Sequence, residues 1–290
     1  MTRLAYARDG EALAYRIHGT PGATPILTLH GLVSSTSHWS FFTPHYAQTR
    51  PVVSWEYRGH GGQPAPRDPS TVTVAQFAED AYAVLRAAEL PPAIICGLSF
   101  GVQVALELWR GHKDAVRALV LICGTAGHPL DRLSTSPLLR RIAADTLRAA
   151  AGQRLIADPL LSFLRSKTGT KIARELAYLS GGAHRDECPD EVLEQLFRHV
   201  GGLAPDVIGA IAASYLEHSA WNVLPTIDVP TLIIAGDKDQ LTPVATAERM
   251  HRAIAGSELV VFPGHTHLVQ VEKPAEVHAA IDDFLRRHQL

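Results

Sequence analysis

Four short, mostly apolar runs place the strongest constraint on how this 290-residue chain can fold. They cover residues 25–29, 52–55, 93–96 and 118–123, and they lack the polar alternation of a sheet with one wet face. Helical patterns lie between them, and the one at residues 74–90 repeats apolar side chains at helical spacing, with Thr73 and Gln76 placed as a capping box. Strands that are apolar on both faces fit a parallel sheet covered by helices on both sides. The sequence therefore predicts an α/β fold with a mostly parallel central sheet.

The two ends of the chain extend this pattern. Asp9-Gly10 separates segments 3–7 and 12–18, which predicts an antiparallel hairpin. After Pro230 the alternation resumes with strands at residues 231–235 and 258–262 and with helices at residues 244–255 and 274–288. Both ends are thus expected to belong to the same sheet.

Between Cys123 and Pro230 the alternation is lost, and no convincing strand is visible. Gly and Pro breaks separate five predicted helices, at residues 137–151, 159–166, 171–179, 190–200 and 206–219. One sheet interrupted by a helical insertion is simpler than two domains. We therefore expect a core of residues 1–123 and 223–290, with a helical cap of residues 124–222 inserted after the sixth strand.

The segment Gly97-Leu98-Ser99-Phe100-Gly101 joins a predicted strand to a predicted helix. Glycines two residues before and two residues after a serine fit a turn so tight that its flanks have no room for side chains. Such a turn projects the hydroxyl above the sheet at a helix N-terminus, where developing negative charge is favoured. Ser99 is therefore a candidate nucleophile.

A serine nucleophile needs a general base and a carboxylate that orients it. Asp237 and Asp239 follow the predicted strand at residues 231–235, and His265 and His267 follow the one at residues 258–262. All four lie just beyond strand ends, at the edge where α/β sheets place their sites. Serine, acid and histidine also occur in the chain order expected after a G-x-S-x-G turn.

Further motifs accompany this order. They are His30-Gly31-Leu32 after the first parallel strand, the segment from Glu56 to Gly61, Gly236-x-x-Asp239 with Pro243, and Thr266-His267 with Glu272 and Pro274. Together with the serine turn, they make the chain resemble the α/β-hydrolase superfamily, and the resemblance covers almost everything except the details of the helical insertion. The segment from Glu56 to Gly61 is similar to the D-x-R-G-x-G loop of that family, with Glu56 in place of Asp.

This resemblance implies a role for each matching residue. Ser99 is the expected nucleophile, His267 the base and then the acid, and Asp239 the residue that orients His267. Asp239 is preferred to Asp237 because the family acid stands three residues after the glycine that ends the strand. His267 is preferred to His265 because only His267 has Glu five and Pro seven residues downstream.

The same resemblance predicts an oxyanion hole made by the backbone N–H groups of Leu32 and Phe100. Where epoxide hydrolases and haloalkane dehalogenases of the superfamily carry an aspartate nucleophile, this chain has Ser99. The expected reaction is therefore acyl transfer: a cofactor-independent serine hydrolase that cleaves small to medium carboxylic esters or lactones. A ligand receptor with the hydrolase fold, a hydroxynitrile lyase, a perhydrolase and a C–C bond hydrolase are the alternatives.

Composition and charge indicate which classes of binding partner are not expected. The formal net charge is −2, without a long block of like charges, so neither nucleic acid nor a membrane is an expected partner. The 15 histidines show no metal-ligand spacing, and no metal is expected. Three scattered cysteines and an N-terminus without a visible signal peptide favour a cytoplasmic protein.

Overall fold

The computed structural model describes residues 1–129 and 137–290 and contains one eight-stranded sheet. The strands are β1 (Arg3–Tyr6), β2 (Ala12–His18), β3 (Ile26–Leu29), β4 (Val52–Trp55), β5 (Ala93–Leu98), β6 (Val116–Ile122), β7 (Thr231–Gly236) and β8 (Glu258–Phe262). Their order in the sheet is β1-β2-β4-β3-β5-β6-β7-β8. The β1–β2 hairpin and the β2–β4 pair are antiparallel, and all other neighbours are parallel. The predicted α/β fold and mostly parallel sheet are confirmed.

Eleven α-helices occur in the part of the chain that the structure describes. They are α1 (Phe42–Tyr46), α2 (Val74–Ala88), α3 (Phe100–Gly111), α4 (Pro137–Ala151), α5 (Arg154–Arg165), α6 (Lys167–Leu179), α7 (Asp190–Val200), α8 (Pro205–Glu217), α9 (Val244–Ala253), α10 (Val269–Glu272) and α11 (Pro274–Arg287). The short helices α1 and α10 were not predicted, because four or five residues are too few to show a helical period.

Adjacent residues of the central strands are buried on opposite sides of the sheet. Ile26 and Leu27 of β3 are both fully buried, yet Ile26 packs with α1 and α11, whereas Leu27 packs with α2 and α3. Successive side chains of a strand point to opposite faces, so a sheet covered on both sides needs apolar residues at every position. This explains the unbroken apolar runs of the sequence.

Helix α2 shows how the helices that cover the sheet are delimited. Its first turn is capped by Thr73, whose hydroxyl accepts a hydrogen bond from the Gln76 N–H at 3.1 Å. The Gln76 side chain donates to Asp80 at 3.0 Å. Only the Thr73 half of the expected capping box is therefore seen in the hydrogen bonds. The helix ends where Glu89 takes a left-handed conformation with φ 55°.

Helices α4 to α8 all lie between β6 and β7, where the helical insertion was expected. Two of them begin at least four residues earlier than the sequence predicted. Helix α5 starts at Arg154 and contains Pro159 in its interior. Proline has no N–H to donate to the carbonyl four residues before it. Because this helix buries no side chain, water can reach that carbonyl. Helix α6 starts at Lys167, where Ser166 caps it by accepting from the Gly169 N–H. No helix of residues 1–129 and 137–290 is both long and apolar enough to cross a bilayer.

Candidate active site

Ser99 occupies a strained turn between β5 and α3. Its backbone has φ 54° and ψ −112°, a conformation that L-residues rarely adopt, and its N–H donates to the Ile122 carbonyl at 2.9 Å. A Cβ on Gly97 would lie 2.5 Å from the Gly101 carbonyl oxygen, and a Cβ on Gly101 would clash with the Leu29 carbonyl oxygen. Both glycines are therefore required by close backbone approach, as the sequence pattern predicted.

The structure brings Ser99, His267 and Asp239 together in one hydrogen-bonded chain. His267 Nε2 lies 2.8 Å from Ser99 Oγ, and His267 Nδ1 lies 2.8 Å from Asp239 Oδ2. Asp239 follows the carboxyl end of β7, and His267 follows that of β8. Parallel strands end at the same edge of a sheet. Ser99 and His267 therefore meet at this edge although they are 168 positions apart in the sequence.

Asp239 is held in place by the loop that follows it. Its Oδ1 accepts from the N–H groups of Leu241 and Thr242 at 2.8 and 2.9 Å, and its Oδ2 accepts from the Thr242 hydroxyl at 2.7 Å. Burial by itself raises the pKa of this carboxyl, but the His267 charge, the His267 hydrogen bond and the Thr242 contacts outweigh burial and lower the pKa. The ionised carboxylate can only accept, so His267 Nδ1 must carry a proton toward it.

The two rival candidates, Asp237 and His265, lie outside this chain of contacts. Asp237 is exposed and accepts from the Gly264 N–H at 2.7 Å. His265 Nδ1 lies 2.7 Å from the Pro263 carbonyl oxygen, and its Nε2 lies 2.7 Å from Glu187 Oε2. Both residues therefore brace the loops that carry Asp239 and His267.

The predicted oxyanion-hole groups lie on the two segments that flank Ser99. Phe100 is the first residue of α3, so its N–H has no acceptor within the helix. Leu32 follows Gly31, and a Cβ on Gly31 would stand 3.6 Å from the Ser99 Cβ, which shows how closely this loop passes the serine. The position of both groups is compatible with the predicted hole.

His30 fixes the loop that carries Leu32. The Tyr57 N–H donates to His30 Nε2 at 3.4 Å, the Tyr57 hydroxyl donates to the His30 carbonyl at 3.0 Å, and His30 Nδ1 lies 3.2 Å from the Gly31 carbonyl. Burial lowers the pKa of His30 well below its usual value, so the ring is neutral and can accept at Nε2 while donating at Nδ1. His30 therefore has a structural role in the loop that carries Leu32.

Glu272 was recognised in the sequence only as a motif member, and the structure shows what it contacts. Its carboxylate accepts from the Thr266 N–H at 2.9 Å, from the Thr266 hydroxyl, and from the His184 N–H at 2.9 Å. Thr266 precedes His267, and His184 belongs to the insertion. Glu272 therefore ties the histidine loop to the insertion, a role that only the folded chain reveals.

Two further histidines, His38 and His199, interact with each other near His267. His38 is buried beside Ser34, whose Oγ lies 2.7 Å from His38 Nδ1, and His199 comes from α7 of the insertion. Burial, followed by the charges of His267 and His199, lowers the pKa of His38 to about 4. The Nε2 atoms of His38 and His199 are buried and have no hydrogen-bond partner among the described residues.

Within residues 1–129 and 137–290, no group of three or more His, Cys, Asp and Glu side chains converges in a way that could hold a metal ion. The cysteines are unpaired and buried.

Comparison with known proteins finds relatives that are named as hydrolases and esterases. The 2-hydroxymuconate semialdehyde hydrolase of Pseudomonas sp. strain CF600 is 28% identical over 286 residues, which cover 93% of this chain and 89% of that protein. The pimeloyl-[acyl-carrier protein] methyl ester esterase of Aromatoleum aromaticum is 28% identical, with 90% and 98% covered. The crystal structure of a hydrolase from Pseudomonas aeruginosa superposes with a TM-score of 0.77 at 25% identity, with 98% of each chain covered.

The sequence model described as the Alpha/beta hydrolase family matches residues 26–280, a range that begins in β3 and ends in α11. It therefore takes in most of the sheet, the whole insertion and all three residues of the hydrogen-bonded chain. The protein belongs to the Alpha/beta hydrolase family.

Proposed function

We propose that this protein is a serine hydrolase that cleaves small to medium carboxylic esters or lactones through an acyl-enzyme. The observation that carries the proposal is the continuous chain Ser99 Oγ, His267 and Asp239, with 2.8 Å at each link. This arrangement lets a neutral imidazole take the serine proton while a carboxylate stabilises the imidazolium that forms.

The reaction follows from these contacts. Ser99 Oγ attacks the substrate carbonyl carbon as His267 Nε2 takes its proton, and a tetrahedral oxyanion forms. The oxyanion accepts from the Leu32 and Phe100 N–H groups. His267 then gives the proton to the leaving alcohol oxygen, which departs and leaves the acyl group on Ser99. Water, deprotonated by His267, attacks the acyl carbon, and the acid is released with Ser99 regenerated.

The helices of the insertion supply the part of the substrate site that the core does not form. We assign residues 124–222 to a cap that covers Ser99 and selects the substrate, since inserted segments commonly decide specificity on rigid scaffolds. The His199 ring from α7 and the Glu272–His184 contact support this assignment.

The three buried, unpaired cysteines support a reducing, cytoplasmic setting.

C–C bond hydrolysis is the second candidate function. It uses the same serine, histidine and aspartate, and the relative from strain CF600, at 28% identity, is named as a hydrolase of 2-hydroxymuconate semialdehyde. The esterase relative, also at 28% identity, favours esters. Measurement of both activities on one preparation ranks the two candidates.

The test is covalent labelling followed by a substrate panel. A fluorophosphonate should add one adduct to the intact mass of the protein, and the Ser99→Ala variant should add none. The panel then combines p-nitrophenyl esters graded by acyl length, lactones graded by ring size, and 2-hydroxymuconate semialdehyde. Ester or lactone turnover above semialdehyde turnover supports the proposal. Labelling without turnover of any of them would instead favour a ligand receptor.

A further inference from the structure

The loop that carries Leu32 contains a residue in an unfavourable backbone conformation. The Ser34 N–H donates to the Gly31 carbonyl at 3.2 Å, which closes a turn over residues 31–34. Leu32 has a negative φ and Val33 has φ 46°, the pattern of a type II turn, whose third residue is normally glycine or asparagine. A β-branched side chain is strained in this region, so contacts outside the turn must hold Val33 there.

The turn lies next to the proposed nucleophile. A Cβ on Gly31 would stand 3.6 Å from the Ser99 Cβ and 3.8 Å from the Ser34 Cβ. The Leu32 N–H belongs to the peptide group that follows Gly31, so a rearrangement of the turn moves this N–H relative to Ser99. A donor of an oxyanion hole is effective only when it lies about 2.7–3.1 Å from the developing oxyanion. The conformation of Val33 therefore affects the proposed oxyanion hole.

A buried side-chain contact follows the turn directly. Ser34 Oγ lies 2.7 Å from His38 Nδ1, and the two residues are only 1% and 5% exposed. His38 belongs to the short 3₁₀-helix Thr36–Trp39, against which α7 of the insertion packs. Burial and neighbouring charges lower the pKa of His38 to about 4, so its ring is neutral at pH 7. The last residue of the turn is thus hydrogen-bonded to a neutral, buried ring.

We propose that Ser34 and His38 are positioning residues, which hold the strained Val33 turn and thereby place the Leu32 N–H for the oxyanion. The inference rests on the proposed function, because an oxyanion forms only if Ser99 attacks a carbonyl. Without the Ser34–His38 hydrogen bond, Val33 relaxes toward a negative φ and the peptide groups beside Leu32 rotate with it. The loss then falls on the transition state, since the oxyanion is absent from the bound substrate.

A direct contact between His38 and the substrate is the alternative role. His38 Nε2 is buried and has no hydrogen-bond partner among the described residues, and the charge of His267 acts on the His38 ring. Asparagine distinguishes the two roles, because its amide takes the place of Nδ1 and leaves no polar group where Nε2 was. His38→Asn therefore keeps the contact with Ser34 and removes any contact through Nε2.

The test is steady-state kinetics with p-nitrophenyl butyrate, with the active sites of each preparation counted by complete fluorophosphonate labelling. Ser34→Ala and His38→Leu should each lower kcat per labelled site about tenfold and leave KM within about twofold, because an oxyanion-hole donor acts only after attack. The double variant should lose no more than either single variant, since both changes break the same hydrogen bond. His38→Asn should lose less than about threefold.

A change at Val33 separates positioning from a general loss of structure. Val33→Gly removes the steric cost of a positive φ. In the Val33→Gly background, Ser34→Ala should lower kcat by less than about threefold instead of tenfold, because the turn no longer depends on the hydrogen bond. A side chain that only packs, or that contacts the substrate, is not rescued by glycine at position 33.

Ser37→Ala is the matched control, because it removes a hydroxyl of the same 3₁₀-helix that lies 2.8 Å from Ser35 Oγ. It should leave kcat within about twofold, and thermal unfolding monitors the fold of every variant. In an active protein, an unchanged kcat in Ser34→Ala, no rescue by Val33→Gly, or equal losses in His38→Asn and His38→Leu overturns this inference alone. An unaltered protein that neither labels nor cleaves an ester overturns the proposed function and this inference with it.

Discussion

Helix α2, which covers the sheet, and helix α5, which belongs to the segment between β6 and β7, differ in how far they bury apolar side chains. Helix α2 buries Phe77 and Val84 completely, whereas α5 buries none of its side chains and leaves Leu155 93% exposed. Burial on both faces of the sheet holds Ser99, Asp239 and His267 at fixed distances. Helix α5 is less constrained by packing than α2.

Polar contacts near His267 are among those that join the two regions. Glu272 binds the His184 N–H of the insertion, and Glu187 of the insertion binds His265 and, at 2.8 Å, Lys273. The geometry of the reactive groups thus belongs to the core, and one contact of the insertion with this geometry runs through the loop that carries His267. Five predictions test this division of roles.

The largest effect is expected at the proposed nucleophile. Ser99→Ala should lower kcat for p-nitrophenyl butyrate by about 10³-fold or more, because the attacking oxygen is lost while the substrate still binds. Ser162→Ala, on exposed α5, should leave kcat within about twofold. Turnover by Ser99→Ala at the rate of the unaltered protein would reject the mechanism and would show that Ser99 of the core does not carry out the reaction.

The difference in packing predicts a difference in stability. Phe77→Ala on α2 should lower the free energy of unfolding by about 4 kcal/mol, because it leaves a cavity in a closed core. Phe163→Ala on α5 should lower it by about 1 kcal/mol or less, since that side chain is already 43% exposed. Urea unfolding measures both. Equal losses in the two variants would show that the α5 ring is packed in solution.

Separate substitution of the two aspartates by asparagine distinguishes the residue that contacts His267 from the one that braces a loop. Asp239→Asn should lower kcat by about 10²-fold, because an amide donates where His267 Nδ1 requires an acceptor. Asp237→Asn should cost less than about threefold, since its side-chain oxygen still accepts from Gly264. Steady-state kinetics with one ester decides between them, and a larger loss at Asp237 would reverse the assignment.

Buried neutral histidines of the core predict a pH dependence of stability. Burial lowers the pKa of His60 to about 4, whereas an unfolded histidine titrates near 6.5. Between these values the unfolded chain binds more protons than the folded one, so stability falls as pH drops from about 6.5 toward 4. His60→Asn should remove about 2 kcal/mol of that loss between pH 7 and pH 4.5, measured by urea unfolding. An unchanged slope would show that His60 is not neutral and buried in solution.

The smallest effect is expected where core and insertion meet. Glu272→Gln should lower kcat/KM by about tenfold, because the neutral amide holds the Thr266 and His184 N–H groups less firmly and the His267 ring is less well placed. Glu187→Gln, which alters the more exposed contacts of the same segment, should cost less than about threefold. If thermal unfolding falls in Glu272→Gln and kcat/KM does not, Glu272 stabilises the fold without positioning His267.

Several features could be read from the sequence because they depend on local physics. The strand at residues 258–262 and the helices at residues 137–151 and 190–200 were predicted with the bounds that the structure has, since clear apolar periods delimit them. The start of α5 was missed because Pro159 usually begins a helix and here lies within one. The candidates Asp237 and Asp239 could be ranked only by motif spacing.

The sequence by itself determined the alternation of buried strands and helices, the need for glycine on both sides of Ser99, and the strand ends after which Asp239 and His267 stand. Short-range sterics and the period of burial are sufficient for these. Only the tertiary structure showed that His267 contacts both Ser99 and Asp239, that Glu272 joins the histidine loop to the insertion, and that α5 and α6 turn apolar side chains to solvent. Those outcomes depend on contacts between segments far apart in the chain, which no local pattern encodes.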